Sequence, residues 1–193
     1  MNSYKSMSYN PIKIFISSSW QEELNNENKA VAESILCLGL IPITGDGISD
    51  FPPIIHCGRI VRNDADIVIV VLGKELRSLV RLECNMALQN SIPILGFIKE
   101  GEKDGEMVKY IEYLKEYITY DTFSSIRQLR KRIKYALIDK ISENFRSYQA
   151  IYKEFLNWII DGPLPLSHHS LESIIKSHVV DIEKFFNKLI KRK

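Results

Sequence analysis

The stretch DIVIVVLG, Asp66–Gly73, decides how the rest of the chain is read. Ile67 to Leu72 are six consecutive apolar residues, and five of them are β-branched. Branching at Cβ suits the extended backbone. A strand with no polar face has to be covered on both sides. That is the situation of a central strand in a parallel sheet flanked by helices.

Working outward, strand-like and helix-like segments alternate. IKIFIS, Ile12–Ser17, is a short apolar run that reads as a buried strand. Residues 20–38 carry Leu24, Ala30, Val31, Ile35 and Leu38 at helical spacing, and Gly39 caps the end. LIPIT, Leu40–Thr44, is a second strand. GDGISDFPP, Gly45–Pro53, has Asp-Gly turn chemistry and prolines ready to open a helix, expected over Ile54–Arg62. Beyond Gly73, LVRLECNMALQN predicts a helix, PILGFI a strand and Met107–Glu116 a surface helix. YITY, Tyr117–Tyr120, predicts an edge strand. The class implied is α/β: a flavodoxin-like, doubly wound, five-stranded parallel sheet of order 2-1-3-4-5. Such sheets bind ligands beyond the carboxyl ends of their strands, where the order reverses. Here that point lies beside strands one and three, under SSSW, GDGISD and GKELRS.

From Thr122 the character changes. Ile126, Leu129, Ile133, Leu137, Ile141 and Phe145 recur every three or four residues, and Tyr148–Ile160 is aromatic and helical. DGPLPL breaks the pattern, and Leu171 to Ile190 forms a last amphipathic helix ending in Lys-Arg-Lys. We therefore expect a flexible tail over residues 1–10, an α/β domain over 11–121 and an α-helical extension over 122–193. Charge divides in the same way. Residues 122–193 hold 14 Lys and Arg against 7 Asp and Glu, leaving 12 against 17 for residues 1–121. The apolar stripes of the extension suit packing on the core or a homo-oligomer. The basic residues of RQLRKRIK read as a solvated helix face rather than a nucleic-acid surface.

With 45% hydrophobic and 26% charged residues, the chain has the balance of a soluble globular protein. No apolar run approaches the length of a membrane span, and the polar start lacks a signal-peptide core. Cys37, Cys57 and Cys84 have no metal or redox spacing and suit a reducing cytoplasm. His56, His168, His169 and His178 form no ligand pattern, so no metal is expected.

Ser17, Ser18 and Ser19 stand where strand one gives way to a helix. Helix-opening amides attract anions and serine hydroxyls add donors, so a phosphate or ribose hydroxyl fits there. The other reading is a serine N-cap. A glycine-rich fingerprint is absent, which excludes a P-loop and a dinucleotide-binding Rossmann turn. Glu83 falls early in the helix after the central strand, near the same edge. Asp46 and Asp50 supply further carboxylates in the loop after strand two. Asp64 and Asp66 read as turn and strand-start residues.

Lys13–Glu100 resembles the TIR-domain and nucleoside 2-deoxyribosyltransferase superfamilies. It is especially similar to an uncharacterised TIR-like domain family of prokaryotic defence proteins. The resemblance rests on KIFISSSWQEE, on CGRIVRNDADIVIVVLG and on SLVRLECNMALQNSIPILGFIKE, in which Ser78 stands five positions before Glu83. It implies a catalytic carboxylate at Glu83 acting on an N-glycosidic bond of NAD or a nucleoside. Ser17, Ser18, Ser19, Asp46, Asp50 and Ser78 would then bind substrate. NAD is in that case a substrate, and no cofactor is implied. ELRSLVRLE stands where the transferases carry Asp-Gly-Thr, and the Trp-Cys pair common after the TIR serine is missing. A non-catalytic, TIR-like nucleotide-binding or assembly module is the alternative.

Overall fold

The computed structural model describes residues 11–18, 24–45 and 52–161. The N-terminal tail, Ser19, Asp46, Asp50 and the last helix expected from sequence lie outside these residues.

In chain order the elements are β1 (Lys13–Ser18), α1 (Asn25–Cys37), β2 (Ile41–Ile43), α2 (Pro53–Asp64), β3 (Ile67–Leu72), α3 (Ser78–Gln89), β4 (Ile94–Lys99), α4 (Gly105–Lys115), β5 (Thr119–Phe123) and α5 (Ile126–Asp161). The strands form one sheet of order β2-β1-β3-β4-β5. Every neighbouring pair is parallel. This is the flavodoxin-like arrangement expected from the alternation.

All six residues of β3 are buried, as a strand without a polar face requires. It sits between β1 and β4, with Ser17 opposite Val70 and Val71 opposite Phe97. Alternate residues serve opposite faces. Phe15, Val68 and Val70 join Cys84 and Ala87 of α3 and Leu114 of α4 in one core. On the other face α1 buries Ala30, Val31 and Ile35. An ion pair between Arg130 and Glu33 ties α5 to α1.

Local chemistry sets the boundaries. Pro53 opens α2, where a missing N–H costs nothing. Asp104 caps α4 by accepting from Met107 N at 2.5 Å. Ser125 Oγ accepts from Gln128 N at 3.3 Å, and Gln128 Oε1 reaches back to Ser124 N at 2.9 Å. These bonds satisfy amides at the start of α5. At the far end of the sheet, Asp66 accepts from Lys13 N at 2.7 Å and Asp64 from Lys13 Nζ at 2.9 Å. Both aspartates therefore serve the strand starts, away from the carboxyl edge.

One boundary differs from the sequence expectation. β5 continues to Phe123, past the boundary drawn at residue 121. Its first four residues are exposed, as at a sheet edge, and only Phe123 turns inward. The helical run expected up to DGPLPL is one 36-residue helix, α5, and neither glycine nor proline interrupts Ile126–Asp161. The chain divides into two compact units, Met1–Ala136 and Leu137–Lys193. The sheet belongs to the first. The described part of the second is the continuation of α5, which carries an i,i+3 pair of Lys140 and Glu143 at 2.9 Å. Among the described residues no helix is long and apolar enough to cross a membrane.

Candidate functional site

The carboxyl end of β1 places two serines side by side, and pleating sends their hydroxyls to opposite faces of the sheet. Ser17 Oγ donates to Glu83 Oε2 of α3 at 2.6 Å. Ser18 Oγ donates to Asn28 Oδ1 of α1 at 2.6 Å. All four residues are buried. The switch point is thus lined by polar side chains on both faces, each held by the last residues of β1. Two of the three serines bond to helix residues distant in sequence.

Glu83 is 5% exposed. It lies in the second turn of α3 and faces inward with Val80, Cys84 and Ala87. Gly45, just after β2, approaches closely from the side. A Cβ at Gly45 would stand 3.6 Å from Glu83 Oε1 and 2.3 Å from Cys57 Sγ. Cys57 is buried and directs its thiol at Gly45 O, 3.9 Å away. Glycine is the residue that this packing admits.

Cys84, next to Glu83, is fully buried. Burial pushes its thiol up to about 12, and the adjacent Glu83 carboxylate adds to the rise. The neighbouring hydroxyls of Tyr110 and Ser17 pull the other way by less. Burial also raises the Tyr110 phenol, and the Cys84 thiol reinforces it. Tyr110 Oη has no hydrogen-bond partner among the described residues. Cys84 is therefore a neutral thiol beneath the carboxylate and no nucleophile near neutral pH.

On the α1 face, Glu27 is 7% exposed and pairs with Lys99 Nζ at 2.9 Å. Lys99 ends β4, so this pair also sits at the carboxyl edge. Beside it Asn28 Nδ2 is buried and has no partner among the described residues. Glu27, Asn28 and Ser34 occupy inward positions of α1 together with Val31 and Ile35. That was a legible signal: polar residues at the apolar register of an amphipathic helix. Sequence reasoning passed over Glu27, Asn28, Lys99 and Tyr110.

Ser78 does not join Glu83. Five residues along an α-helix turn the side chain by about 140°. Ser78 is exposed at the first turn of α3 and lines a separate groove of about 360 Å³ with Arg81, Asn85 and Glu106. There Arg81 pairs with Glu106 at 2.6 Å and lies over the Tyr110 ring. Glu75 is exposed in the loop after β3. Cys37 is exposed, unlike the buried Cys57 and Cys84. Among the described residues no cluster of three or more His, Cys, Asp or Glu could hold a metal ion.

A family model described as a domain of unknown function, DUF4062, matches residues 13–157. The chain belongs to the DUF4062 family. The match begins at the first residue of β1 and runs into α5, so the DUF4062 region includes Ser17, Ser18, Asn28 and Glu83. No curated protein matches this DUF4062 chain. Among solved structures it is similar to a de novo designed Rossmann 2x3 fold protein, at 10% identity and a TM-score of 0.41, over 83% of this chain and 98% of that one. It is also similar to translation elongation factor SelB from Methanococcus maripaludis in complex with a GTP analogue. There the identity is 14% and the TM-score 0.45, over 70% of this chain and 35% of that one. A third similarity is to the Vibrio vulnificus NanR protein complexed with ManNAc-6P. There the identity is 10% and the TM-score 0.39, over 78% of this chain and 56% of that one.

Proposed function

We propose that this protein cleaves or transfers an N-glycosidic bond of NAD or of a nucleoside or nucleotide, with Glu83 as the catalytic carboxylate. The observation that carries the reading is the buried bond between Ser17 and Glu83 at the carboxyl end of β1. A hydroxyl donating to a carboxylate fixes the direction in which its oxygens point. The resemblance of residues 13–100 to TIR and deoxyribosyltransferase domains supports the same role.

The chemistry follows from the charge. As the C1′–N bond breaks, its electron pair leaves with the base and positive charge builds on C1′. The Glu83 carboxylate stabilises that charge or bonds to C1′. A cationic base such as nicotinamide leaves without protonation, whereas a neutral base needs an acid. Water or an acceptor hydroxyl then attacks C1′ and gives up its proton. NAD enters as substrate, and the step calls for no cofactor.

The near-complete burial of Glu83 favours a second reading, a TIR-like module that binds a nucleotide or assembles without turnover. Self-association through the helical extension fits either reading. The experiment is a chromatographic search for free base after incubating the full chain with NAD and a panel of nucleosides and 2′-deoxynucleosides. Release by the parent and its loss in Glu83→Gln support the enzyme. Binding without release, at high protein concentration, replaces it with the module.

A further inference from the structure

Among the described residues, Asn28 Nδ2 is a buried hydrogen-bond donor with no partner. Its residue is 1% exposed, and the other amide atom, Oδ1, accepts from Ser18 Oγ at 2.6 Å. Nδ2 and Oδ1 hang from one carbon. The unpaired donor therefore lies beside the last residue of β1, at the same edge where Ser17 meets Glu83. Protein interiors seldom leave a donor unpaired, because the group gives up water and gains nothing. Its cost to the fold is recovered when an acceptor arrives.

We infer that Asn28 Nδ2 donates to an uncharged oxygen of a bound nucleoside, a ribose hydroxyl or a base carbonyl. Ser18 and Asn28 are then the positioning half of the site whose reacting half is Ser17 and Glu83. The inference rests on the reading of this edge as a nucleoside site. It adds a residue and a ligand chemistry that the resemblance does not supply.

Charge selects the chemistry. Glu27 is the neighbour of Asn28 in the chain, and its carboxylate is neutralised by Lys99 at 2.9 Å. A phosphate entering here would face that buried carboxylate and compete for its lysine. An uncharged oxygen leaves the pair intact and still satisfies Nδ2. Ser17 and Ser18 are consecutive, so the two halves share one strand end on opposite faces of the sheet. In a buried setting the contact is stronger than in water.

The test is calorimetric binding to the full chain, with NAD, ADP-ribose, 2′-deoxyadenosine and nicotinamide as probes. The double variant Ser18→Ala/Asn28→Leu removes both partners of one buried bond together with the unpaired donor. Replacing both partners by apolar groups is close to neutral for a fold, so the melting temperature should stay near the parent's. Affinity for the probes that the parent binds should fall about tenfold. Weakening for NAD, ADP-ribose and 2′-deoxyadenosine but not free nicotinamide identifies a sugar hydroxyl as acceptor, and weakening for NAD and nicotinamide but not the other two a base carbonyl. Should the double variant fail to fold, Ser18→Ala/Asn28→Ala removes the same donor without adding bulk or charge and should show the same loss. Parent-like affinity in a folded variant overturns the inference, as does a parent that binds no probe. A parent that binds yet releases no base sinks the glycosidase reading and leaves this one to the binding data.

Discussion

Ser17 and Glu83 stand 66 positions apart in the chain, and the hydroxyl of one donates to the carboxylate of the other at 2.6 Å inside the protein. The bond joins the end of β1 to the second turn of α3. A serine after a buried strand and a glutamate early in a helix are each ordinary. Together they put an oriented carboxylate at the switch point of the sheet.

Ser17→Ala leaves a buried carboxylate short of one donor. We expect a loss of about 1–3 kcal/mol of stability, since the penalty is that of an under-satisfied buried group. Urea denaturation measures it. In Ser17→Ala/Glu83→Leu the two losses should fall short of additive, because removing the carboxylate removes the unmet demand. Strict additivity would mean that the two side chains do not interact.

Glu83→Gln keeps size and retains a carbonyl that can accept from Ser17. The fold should persist by circular dichroism. Base release should fall on the order of 10²–10⁴-fold, the range associated with a positioned acid–base group. Release at the parent rate would remove Glu83 from the mechanism.

Gly45→Ala should destabilise the protein by about 1–3 kcal/mol, because the new methyl would stand 2.3 Å from Cys57 Sγ. Shortening the obstructing side chain makes room. Gly45→Ala/Cys57→Ala should therefore be less destabilised than the sum of the single changes. Thermal unfolding of the three variants decides this, and equal stability of Gly45→Ala and the parent would contradict it.

The Cys84 thiol is raised from 9.0 to about 12, chiefly by burial. The folded state thus favours the protonated thiol. The resulting stability is fully present below pH 9 and is lost as pH rises from 9 toward 12. Cys84→Ala should flatten that alkaline decline in denaturation curves taken at several pH values. In the native protein at pH 8, a thiol reagent should modify the exposed Cys37 quickly and the buried Cys57 and Cys84 slowly. Three equally fast thiols would argue against this burial.

Much of the fold was legible because burial writes a period into the chain. The apolar run Ile67–Leu72 required a strand covered on both faces, and β3 is buried throughout. Pro53 marked a helix start by local chemistry, whereas the Asp104 cap that opens α4 at Gly105 was not read from the sequence. The end of α5 at Asp161 coincides with DGPLPL, where glycine and proline interrupt the helical pattern. At the site, Ser17, Ser18 and Glu83 stood out by their places at the ends of predicted elements. Asn28 left only a weak trace, a polar residue at an inward register of α1.

The sequence by itself determined the alternation of strands and helices, the central place of β3 and the end of the sheet where polar residues gather. These are local or periodic properties, carried by neighbours in the chain. Only the tertiary structure decided that Ser17 reaches Glu83, that Ser18 reaches Asn28 and that Ser78 turns away into another groove. Those pairings depend on pleating, helix phase and strand register. A shift of one residue reverses the face on which a side chain lies, and nothing in residue identity alone prevents it.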